Sequence, residues 1–248
     1  MKLVSIITPV FNNAATIKDC LNSIYQQSYS NIEHIIIDNC SSDNSLDIIE
    51  KYSFQNRKII SEKDNGLYDA INKGIQNASG EIIGILHADD FYVYHNVIDN
   101  VVKLFHQDYQ GVYANLYYVD RKNKEKIVRK WKAGTYNSQS FLFGWMPPHP
   151  TCFVTKKVYE QNGLYRLDMG TAADYEWILR NMYKYHVPFE YLNDYIIAMR
   201  VGGVSNISLR NRILANINDR KAWTINNLNP KFYTLYLKPL RKIGQFLI

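Results

Sequence analysis

An apolar run that ends on two adjacent carboxylates constrains the fold of this chain most. It spans Gly80 to Asp90, with the sequence GEIIGILHADD, and is typical of a short buried strand bounded by glycine. The carboxyl end of a strand in an open α/β sheet borders the ligand crevice, so we expect Asp89 and Asp90 to lie there. Carboxylates in that position can hold a divalent cation that shares its other coordination positions with substrate phosphates. Alternatively, one of them caps a helix that we predict to start near Val93.

Strand-like and helix-like segments alternate through the amino-terminal part of the chain. Continuous apolar runs predict strands, and apolar residues at helical spacing predict the helices between them. This alternation predicts an α/β fold with a doubly wound, Rossmann-like, mostly parallel sheet flanked by helices. The predicted strands lie at 4–10, 32–38 and 58–61 and in the run that ends at Asp89, and the predicted helices lie at 14–27, 44–52 and 67–78.

The pattern changes in the second half of the chain. Two extended segments at 112–119 and 125–131 precede a loop at 141–150 that is rich in aromatic residues and proline. Such a loop can form one wall of a sugar pocket. A helix is then expected over 174–186, and it must end there because Pro188 cannot continue it.

The composition suits one large domain or one domain with a small appendage, since 46% of the 248 residues are hydrophobic. No segment approaches the roughly 18 continuous apolar residues that span a bilayer. The apolar run from Leu3 to Val10 is too short for a signal sequence and contains Pro9. Three cysteines without metal-ligand spacing fit a reducing compartment. We therefore expect a cytoplasmic protein.

The carboxyl-terminal segment accounts for the whole net charge of +6. No acid follows Asp219, and Pro239 interrupts any single long helix there. Aromatic and aliphatic residues alternate with cations, a pattern that favours the interface of an anionic membrane. One alternative is that this segment forms a terminal helix that covers the core. Nucleic acid would also attract these charges, but this alternative is less favoured, so nucleic acid is not an expected partner. The basic residues are Arg220, Lys221, Lys231, Lys238, Arg241 and Lys242.

Five ordered segments resemble the inverting glycosyltransferases of family 2, which have the GT-A fold. The likeness spans about residues 1–205 and is strongest to bacterial members that build O-antigen, capsule or exopolysaccharide. It implies a nucleotide-sugar-binding half at 1–109, an acceptor-binding half at 110–205 and a basic, aromatic helical extension at 206–248. The segments are SIITPVFN at 5–12, IIDN at 36–39, DNGLYDAINKG at 64–74, LHADD at 86–90 and ADYEW at 173–177.

The resemblance assigns the nucleotide to the ends of the first two strands. Pro9 and Phe11 would pack on the base, and Asp38 would accept a hydrogen bond from the uracil imide. The alternative for Asp38 is a strand-end turn residue that binds its own backbone. Asn39 stands where the family often has a second acid.

The segment implied to line the diphosphate contains Asn65, Gly66 and Asn72. Glycine permits close backbone approach, and the start of a helix offers free N–H groups to anions. Asp69 would orient the donor sugar or simply lie in the first helical turn. Many relatives have an arginine where this chain has Ile71.

The resemblance places the divalent cation, Mn2+ or Mg2+, on Asp89. His87 replaces the first acid of the usual metal motif, and a histidine there can ligate the cation or donate to a sugar hydroxyl or to the ribose. We assign His87, Ala88 and Asp90 to contacts with the nucleotide sugar beside the cation, with Asp90 in a supporting position.

Asp174 aligns with the catalytic base of the family. One carboxylate within hydrogen-bond reach of an acceptor hydroxyl can take its proton, while the cation neutralises charge on the departing diphosphate. The alternative for Asp174 is a dipole partner in the first turn of a helix. His149 and Arg200 stand where relatives contact the acceptor or the diphosphate.

These expectations describe a metal-dependent enzyme that moves a hexose or an N-acetylhexosamine from a UDP-sugar, with inversion, to a saccharide carried on a polyprenyl diphosphate. It would work at the inner face of the cell membrane. One alternative is a sugar nucleotidyltransferase, which normally needs glycine and basic residues near its first strand, and residues 9–16 contain neither. The other is a non-catalytic saccharide-binding module, which would fit the departures at Asn39, Ile71 and His87.

Overall fold

One sheet runs through the protein. A computed structural model describes residues 1–106, 108–202, 209–241 and 245, with the backbone alone at 209–215. In these residues nine strands share the sheet. They are β1 (Val4–Val10), β2 (Ile32–Asp38), β3 (Arg57–Ser61), β4 (Ile82–Ile85), β5 (Phe91–Tyr92), β6 (Gly111–Val119), β7 (Ile127–Trp131), β8 (Phe153–Thr155) and β9 (Phe189–Arg200). Their spatial order is β3-β2-β1-β4-β8-β6-β9-β5, with β7 paired to β6.

Eight α-helices accompany the sheet in the described ranges. Short 3-10 helices lie at Ser140–Phe143, His149–Thr151 and Leu167–Ala172, and a π-helical turn at Leu179–Lys184 follows the sixth α-helix. The α-helices are α1 (Ile17–Tyr25), α2 (Ser45–Lys51), α3 (Leu67–Asn77), α4 (Val97–Lys103), α5 (Lys156–Asn162), α6 (Ala173–Ile178), α7 (Leu209–Ile225) and α8 (Thr234–Leu240).

The predicted α/β fold with a mostly parallel sheet is confirmed. β1 pairs in parallel with β2 and β4, and β2 pairs in parallel with β3. β6 and β9 are also parallel, whereas β8 is antiparallel to both β4 and β6 and joins the two halves. The carboxyl ends of β1, β2 and β4 therefore meet at one edge.

Strand β1 is buried on both faces. Ile6 packs in the cluster that includes α1, and Ile7 packs in the cluster that includes α3. Gly74 of α3 lies so close to Ile7 that an added Cβ would stand 2.3 Å from its Cγ2. Because glycine adds no side chain of its own, the Ile7 side chain packs directly on the backbone of α3, which holds α3 close beside β1.

The structure corrects two predicted helices. The helix expected to start near Val93 starts later, at Val97, because Phe91 and Tyr92 form β5 and pair with β9. The helix expected over 174–186 is α-helical only as far as Ile178 and then widens into the π-helical turn.

The described part of the tail covers the core, as one alternative predicts. Trp223 of α7 is fully buried, and its indole N–H donates to the Tyr175 hydroxyl at 2.8 Å. Leu235 of α8 is buried as well. No helix among the described residues combines the length and the hydropathy that crossing a membrane requires. Lys242 lies outside the described residues, and contact with a membrane surface stays a prediction.

Candidate active site

The ends of three parallel strands bring the predicted donor residues together. β2 and β4 lie on either side of β1, so the segments that follow all three strands leave the sheet at the same edge. The Asn39 N–H donates to the Val10 carbonyl at 2.9 Å and extends the pairing beyond β2. This edge gathers Pro9, Phe11, Asp38 and the segment His87–Asp90.

Phe11 presents an exposed ring just beyond β1, whereas Pro9 is buried within the strand. The next residue, Asn12, has a φ of 52°, and its side-chain oxygen accepts the Ser42 N–H at 2.9 Å. The turn after β1 is thereby tied to the turn after β2. An exposed aromatic ring on an anchored turn suits stacking on a nucleotide base, which stays the predicted role of this turn.

The side chain of Asp38 is buried, and its carboxylate accepts hydrogen bonds from neighbouring residues. It accepts the Ser41 N–H at 3.1 Å, the Ser41 hydroxyl at 2.5 Å and the Ser61 hydroxyl at 2.7 Å. The strand-end turn that we considered as the alternative is therefore present. A contact with the uracil imide stays a prediction, and it requires the carboxylate to exchange one serine for the base.

The loop before α3 is ordered by its own polar side chains. Asn39 Oδ1 accepts the Asp64 N–H at 2.9 Å, and Asp69 accepts the Asn65 N–H at 2.9 Å. Gly66 has a φ of 112°, a conformation that L side chains rarely adopt, and an added Cβ would meet nothing within 4 Å. Asp69 therefore holds the loop from the first helical turn, and the open space at Gly66 fits close approach of a ligand.

The amide of Asn72 faces the protein interior. Its Nδ2 donates to the Tyr165 carbonyl at 2.9 Å, and its Oδ1 accepts the Tyr165 N–H at 3.0 Å. This pair ties α3 to the segment before α6. Contact of Asn72 with a diphosphate stays a prediction, but the observed role of this amide is structural.

Asp90 lies beneath the edge of the sheet, and Ala88 is likewise buried. Both carboxyl oxygens of Asp90 are buried and have no hydrogen-bond partner within the described part of the chain. Burial, reinforced by the neighbouring charge of Asp89, raises the pKa of Asp90 well above its usual value. Burial therefore favours the protonated form of Asp90.

Arg200 braces the segment that carries Asp89. Its Nη1 donates to the main-chain carbonyl of Asp89 at 2.6 Å, and its Nη2 bonds Asp19 of α1. The guanidinium also lies 5.2 Å from the ring centroid of Phe91. The structure thus gives Arg200 a supporting position, and a contact with acceptor or diphosphate stays a prediction.

The described residues fit a cation that is shared with the substrate. They contain no group of three or more His, Cys, Asp or Glu side chains that could hold a metal ion on their own. Asp89 is half-buried at the end of β4, where one carboxylate can serve. Mg2+ is commonly held by one or two carboxylates together with substrate phosphates. Asp89 therefore suits a cation that binds together with a nucleotide diphosphate.

Asp174 lies in the first turn of α6, beside Tyr68 of α3. Both the carboxylate and the main chain of Asp174 lie close to the Tyr68 hydroxyl. Burial and the charge of Asp174 raise the pKa of Tyr68 well above its usual value, so this hydroxyl stays protonated. Asp174 Oδ1 also accepts the Tyr175 N–H at 2.7 Å. Sequence reasoning missed Tyr68, although it lies inside the DNGLYDAINKG segment.

His87 connects the two ends of the site electrostatically. The negative charges of both Asp89 and Asp174 act on its ring, but burial dominates and lowers its pKa. A neutral imidazole therefore lies within electrostatic reach of both the predicted metal ligand and the predicted base. Both acids therefore lie near the ring of His87.

His149 lies beside His87. Its ring centroid is 6.4 Å from that of His87, and its Nε2 is hydrogen-bonded to the Tyr165 hydroxyl at 2.8 Å. Burial, with a smaller contribution from His87, lowers the pKa of His149 to about 3. Tyr165 in turn stacks on Tyr68, with centroids 5.6 Å apart. His149 thus supports the ring that packs on Tyr68, and its contact with acceptor or diphosphate stays a prediction.

Comparisons with known proteins identify the family of this chain. The model of glycosyl transferase family 2 matches residues 5–164. An uncharacterized glycosyltransferase of Mycobacterium tuberculosis is 31% identical over 179 residues, which cover 71% of this chain and 68% of that protein. A PGL/p-HBAD biosynthesis glycosyltransferase of the same organism is 27% identical over 212 residues, covering 82% of this chain and 78% of that protein.

Solved structures with the same fold are much more distant in sequence. S. aureus TarS 1-349 in complex with UDP-GlcNAc has a TM-score of 0.67 and 16% identity, with 95% of this chain and 69% of that chain covered. The mannosyltransferase PcManGT from Pyrobaculum calidifontis, in complex with GDP-Man and Mn2+, has a TM-score of 0.68 and 18% identity, with 99% and 70% covered. This chain spans 43% of the longer S. aureus TarS structure. These likenesses show the GT-A fold.

The match to the family model covers more than half of the chain, and the Mycobacterium relative is aligned over more than two thirds of both sequences. The chain therefore belongs to glycosyl transferase family 2.

Proposed function

We propose that this glycosyltransferase moves a hexose or an N-acetylhexosamine from a UDP-sugar to a saccharide acceptor with inversion at the anomeric carbon. The observation that carries the proposal is that Asp89, beyond the end of β4, and Asp174, in the first turn of α6, both lie near His87. Inverting transfer needs a diphosphate site on one side of the anomeric carbon and a proton acceptor on the other. The complexes of S. aureus TarS with UDP-GlcNAc and UDP support the choice of donor.

Asp174 acts as the base in this proposal. Its carboxylate takes the proton of an acceptor hydroxyl while that oxygen attacks the anomeric carbon on the face opposite the diphosphate. The new glycosidic C–O bond forms as the bond from the anomeric carbon to the diphosphate oxygen breaks, and UDP leaves with the electron pair. Tyr68 lies beside this carboxylate and would help to orient it toward the acceptor hydroxyl.

Asp89 would hold Mn2+ or Mg2+ together with the diphosphate of the donor. A bound divalent cation neutralises charge that develops on the departing nucleoside diphosphate. The Mn2+ in the mannosyltransferase complex supports divalent metal use by a protein of this fold. Arg200 keeps the main chain of Asp89 in place, which preserves the position of this carboxylate.

The acceptor in this proposal is a saccharide of a bacterial surface polysaccharide, such as O-antigen or capsule, carried on a polyprenyl diphosphate. The protein would work peripherally at the inner face of the cell membrane. The net charge of +6 in an aromatic carboxyl-terminal segment supports this location, because anionic lipids attract such segments.

The test combines ligand binding with product analysis. UDP-sugars are screened for thermal stabilisation with Mn2+ and with chelator, because a ligand that binds the folded state raises its melting temperature. The best donor is then incubated with saccharide acceptors, and the anomeric configuration of the product is read by NMR. We expect metal-dependent stabilisation and inverted product. A saccharide-binding module would instead bind the acceptor and form no product, and retained configuration would contradict the mechanism.

A further inference from the structure

We propose that the outer side of α8, together with the rings beside it, docks on an anionic lipid membrane. We call this surface the docking face and define it by Phe143, Phe232, Tyr233, Tyr236 and Leu240. The inference rests on the proposed peripheral location and names the surface that makes the contact.

Helix α8 is apolar on the side that faces away from the protein. Thr234 and Leu235 are buried on its inner side, whereas Tyr236 and Leu240 are 66% and 56% exposed. Tyr236 and Leu240 are four residues apart and therefore lie on one face of the helix. The outer face of a surface helix is normally polar. An apolar outer face indicates a surface that a partner covers.

Aromatic rings continue this apolar surface beyond the helix. Phe232 is 85% exposed and packs edge-on against Tyr233, with ring centroids 5.2 Å apart. Tyr233 stacks on Phe143, with centroids 5.7 Å apart, and Phe143 is itself 46% exposed. Tyr233 directly precedes α8, so these three adjoining rings lie at the amino-terminal end of the helix that exposes Tyr236 and Leu240. Phenylalanine, leucine and tyrosine are residues that enter the boundary between headgroups and acyl chains.

The charges around the docking face favour a negative partner. Exposed Lys231 and Arg241 lie at the two ends of α8. Residues 220–248 contain six basic residues and no acid. Pairing of two copies through this face would bring like charges together, which opposes association. An anionic membrane attracts each of these residues instead.

A cavity of about 400 Å³ adjoins the docking face. Asn137, Gln139, Ser140, Phe143 and Arg241 contribute to its lining, and no carboxylate occurs among the described residues that line it. Amide, hydroxyl and guanidinium donors together suit the phosphate of an anionic headgroup. Phe143 and Arg241 belong to both the cavity and the surroundings of the docking face, so one lipid surface can reach both.

The docking face is firmly attached to the proposed catalytic helix. Gly144 has a φ of 73°, and an added Cβ would stand 2.4 Å from the Lys238 nitrogen, so the loop and α8 touch through their backbones. Lys238 pairs with Asp219 at 2.7 Å, and its ammonium lies 3.5 Å from the ring centroid of Tyr175. Tyr175 directly follows Asp174. A membrane on the docking face would therefore fix the orientation of the base relative to the lipid.

The test is cosedimentation of the full chain with vesicles, without nucleotide. We compare phosphatidylcholine vesicles with vesicles that also contain phosphatidylglycerol, and we expect binding only to the second kind, weakened by salt. The double variant Tyr236→Ser/Leu240→Ser should bind roughly ten-fold more weakly or worse, because it removes two exposed apolar side chains. Leu167→Ser is the matched control, since Leu167 is 49% exposed but lies outside the docking face.

A second variant separates charge from apolar contact. Lys231→Gln/Arg241→Gln leaves the apolar side chains in place and should reduce the preference for phosphatidylglycerol. The proposal fails if wild-type protein ignores anionic vesicles or if the Tyr236/Leu240 variant binds them equally well. It also fails if the wild type is a dimer that does not bind vesicles and the Tyr236/Leu240 variant is a monomer, because the docking face would then be a dimer interface. Transfer to a water-soluble acceptor is measured without vesicles, so a failure of docking and a failure of the proposed reaction are distinguished.

Discussion

Replacing Tyr68 with phenylalanine removes one hydroxyl and keeps the ring. That hydroxyl lies beside the Asp174 carboxylate, and we infer that it donates a hydrogen bond to it. The ring itself stacks on Tyr165, so Tyr68→Phe should preserve packing between α3 and the segment before α6. Tyr68 is thus a positioning residue for the proposed base, and the substitution tests that role without disturbing the fold.

The expected loss follows from the hydrogen bond to a charged group. Such a bond contributes about 1.5 to 3 kcal/mol. If this energy is used to orient the carboxylate in the transition state, kcat falls about ten- to a hundred-fold. In the proposed reaction the UDP group of the donor lies on the opposite side of the anomeric carbon from Asp174. The KM for the UDP-sugar should therefore change only within a few-fold.

The assay measures kcat and KM over a range of pH for wild type, Tyr68→Phe and the control Tyr159→Phe. The Tyr159 hydroxyl contacts that of Tyr165 at 3.4 Å, and its ring belongs to the same aromatic cluster. A hydroxyl that donates to a carboxylate favours the charged form. Loss of the Tyr68 hydroxyl should therefore move the acidic limb of the kcat profile to higher pH, while Tyr159→Phe leaves it in place.

Two results would refute this reasoning. Wild-type kcat in Tyr68→Phe would show that the hydroxyl does not position the base. Equal losses in Tyr68→Phe and Tyr159→Phe, without any change in the pH profile, would assign both effects to packing of the aromatic cluster.

Further predictions concern the cation, pH and the tail. Asp89→Ala should weaken UDP binding only when Mn2+ or Mg2+ is present, and calorimetry that finds an equal loss with chelator would contradict it. His34 and His149 are buried, and burial lowers the pKa of each to about 3 from a usual value of 6.5. The unfolded chain therefore binds these protons more readily. The free energy of unfolding, measured by urea titration, should be highest above about pH 6.5 and fall as the pH drops towards 3, by up to about 1.4 kcal/mol per pH unit per histidine. A free energy of unfolding that does not change with pH would exclude this origin of acid sensitivity. Trp223→Ala should lower the free energy of unfolding by about 3 to 5 kcal/mol, and a loss below about 1 kcal/mol would show that α7 contributes little to the core.

The first half of the fold was predictable because each of its buried strands can be recognised from its own apolar sequence. Residues 4–10 and 32–38 are buried on both faces of a parallel sheet, which produces the continuous hydrophobic runs seen in the sequence. Their carboxyl edge then followed from the alternation of strands and helices.

The second half was harder to predict because its strands depend on distant partners. In β9, polar Asn193 and Asp194 interrupt the apolar pattern, and the register with β6 shifts on either side of Asn115. β5 has only two residues and is defined by its pairing with β9. Periodicity within one segment contains no signal for either feature.

The candidate site was predictable in its residue types but not in their partners. Asp89 and Asp174 were identified from short motifs, and the structure brings both within electrostatic reach of His87. The sequence could not show that the hydroxyls of Ser41 and Ser61 bind Asp38, or that burial raises the pKa of Asp90. These features depend on which groups meet after folding.

Tyr68 was missed for a related reason. A tyrosine in the first turn of an amphipathic helix indicates packing, and its ring does stack on Tyr165. Only the fold shows that its hydroxyl reaches Asp174 from another element.

The most direct test of the account is transfer by Asp174→Asn, measured together with its binding of UDP. Asparagine keeps the shape of the side chain but cannot accept the proton of the acceptor hydroxyl. The proposed mechanism predicts that transfer is abolished while UDP affinity stays within a few-fold, and that Asp168→Asn, in the 3-10 helix before α6, retains activity. Turnover by Asp174→Asn at the wild-type rate would contradict the assignment of the base and with it the proposed reaction.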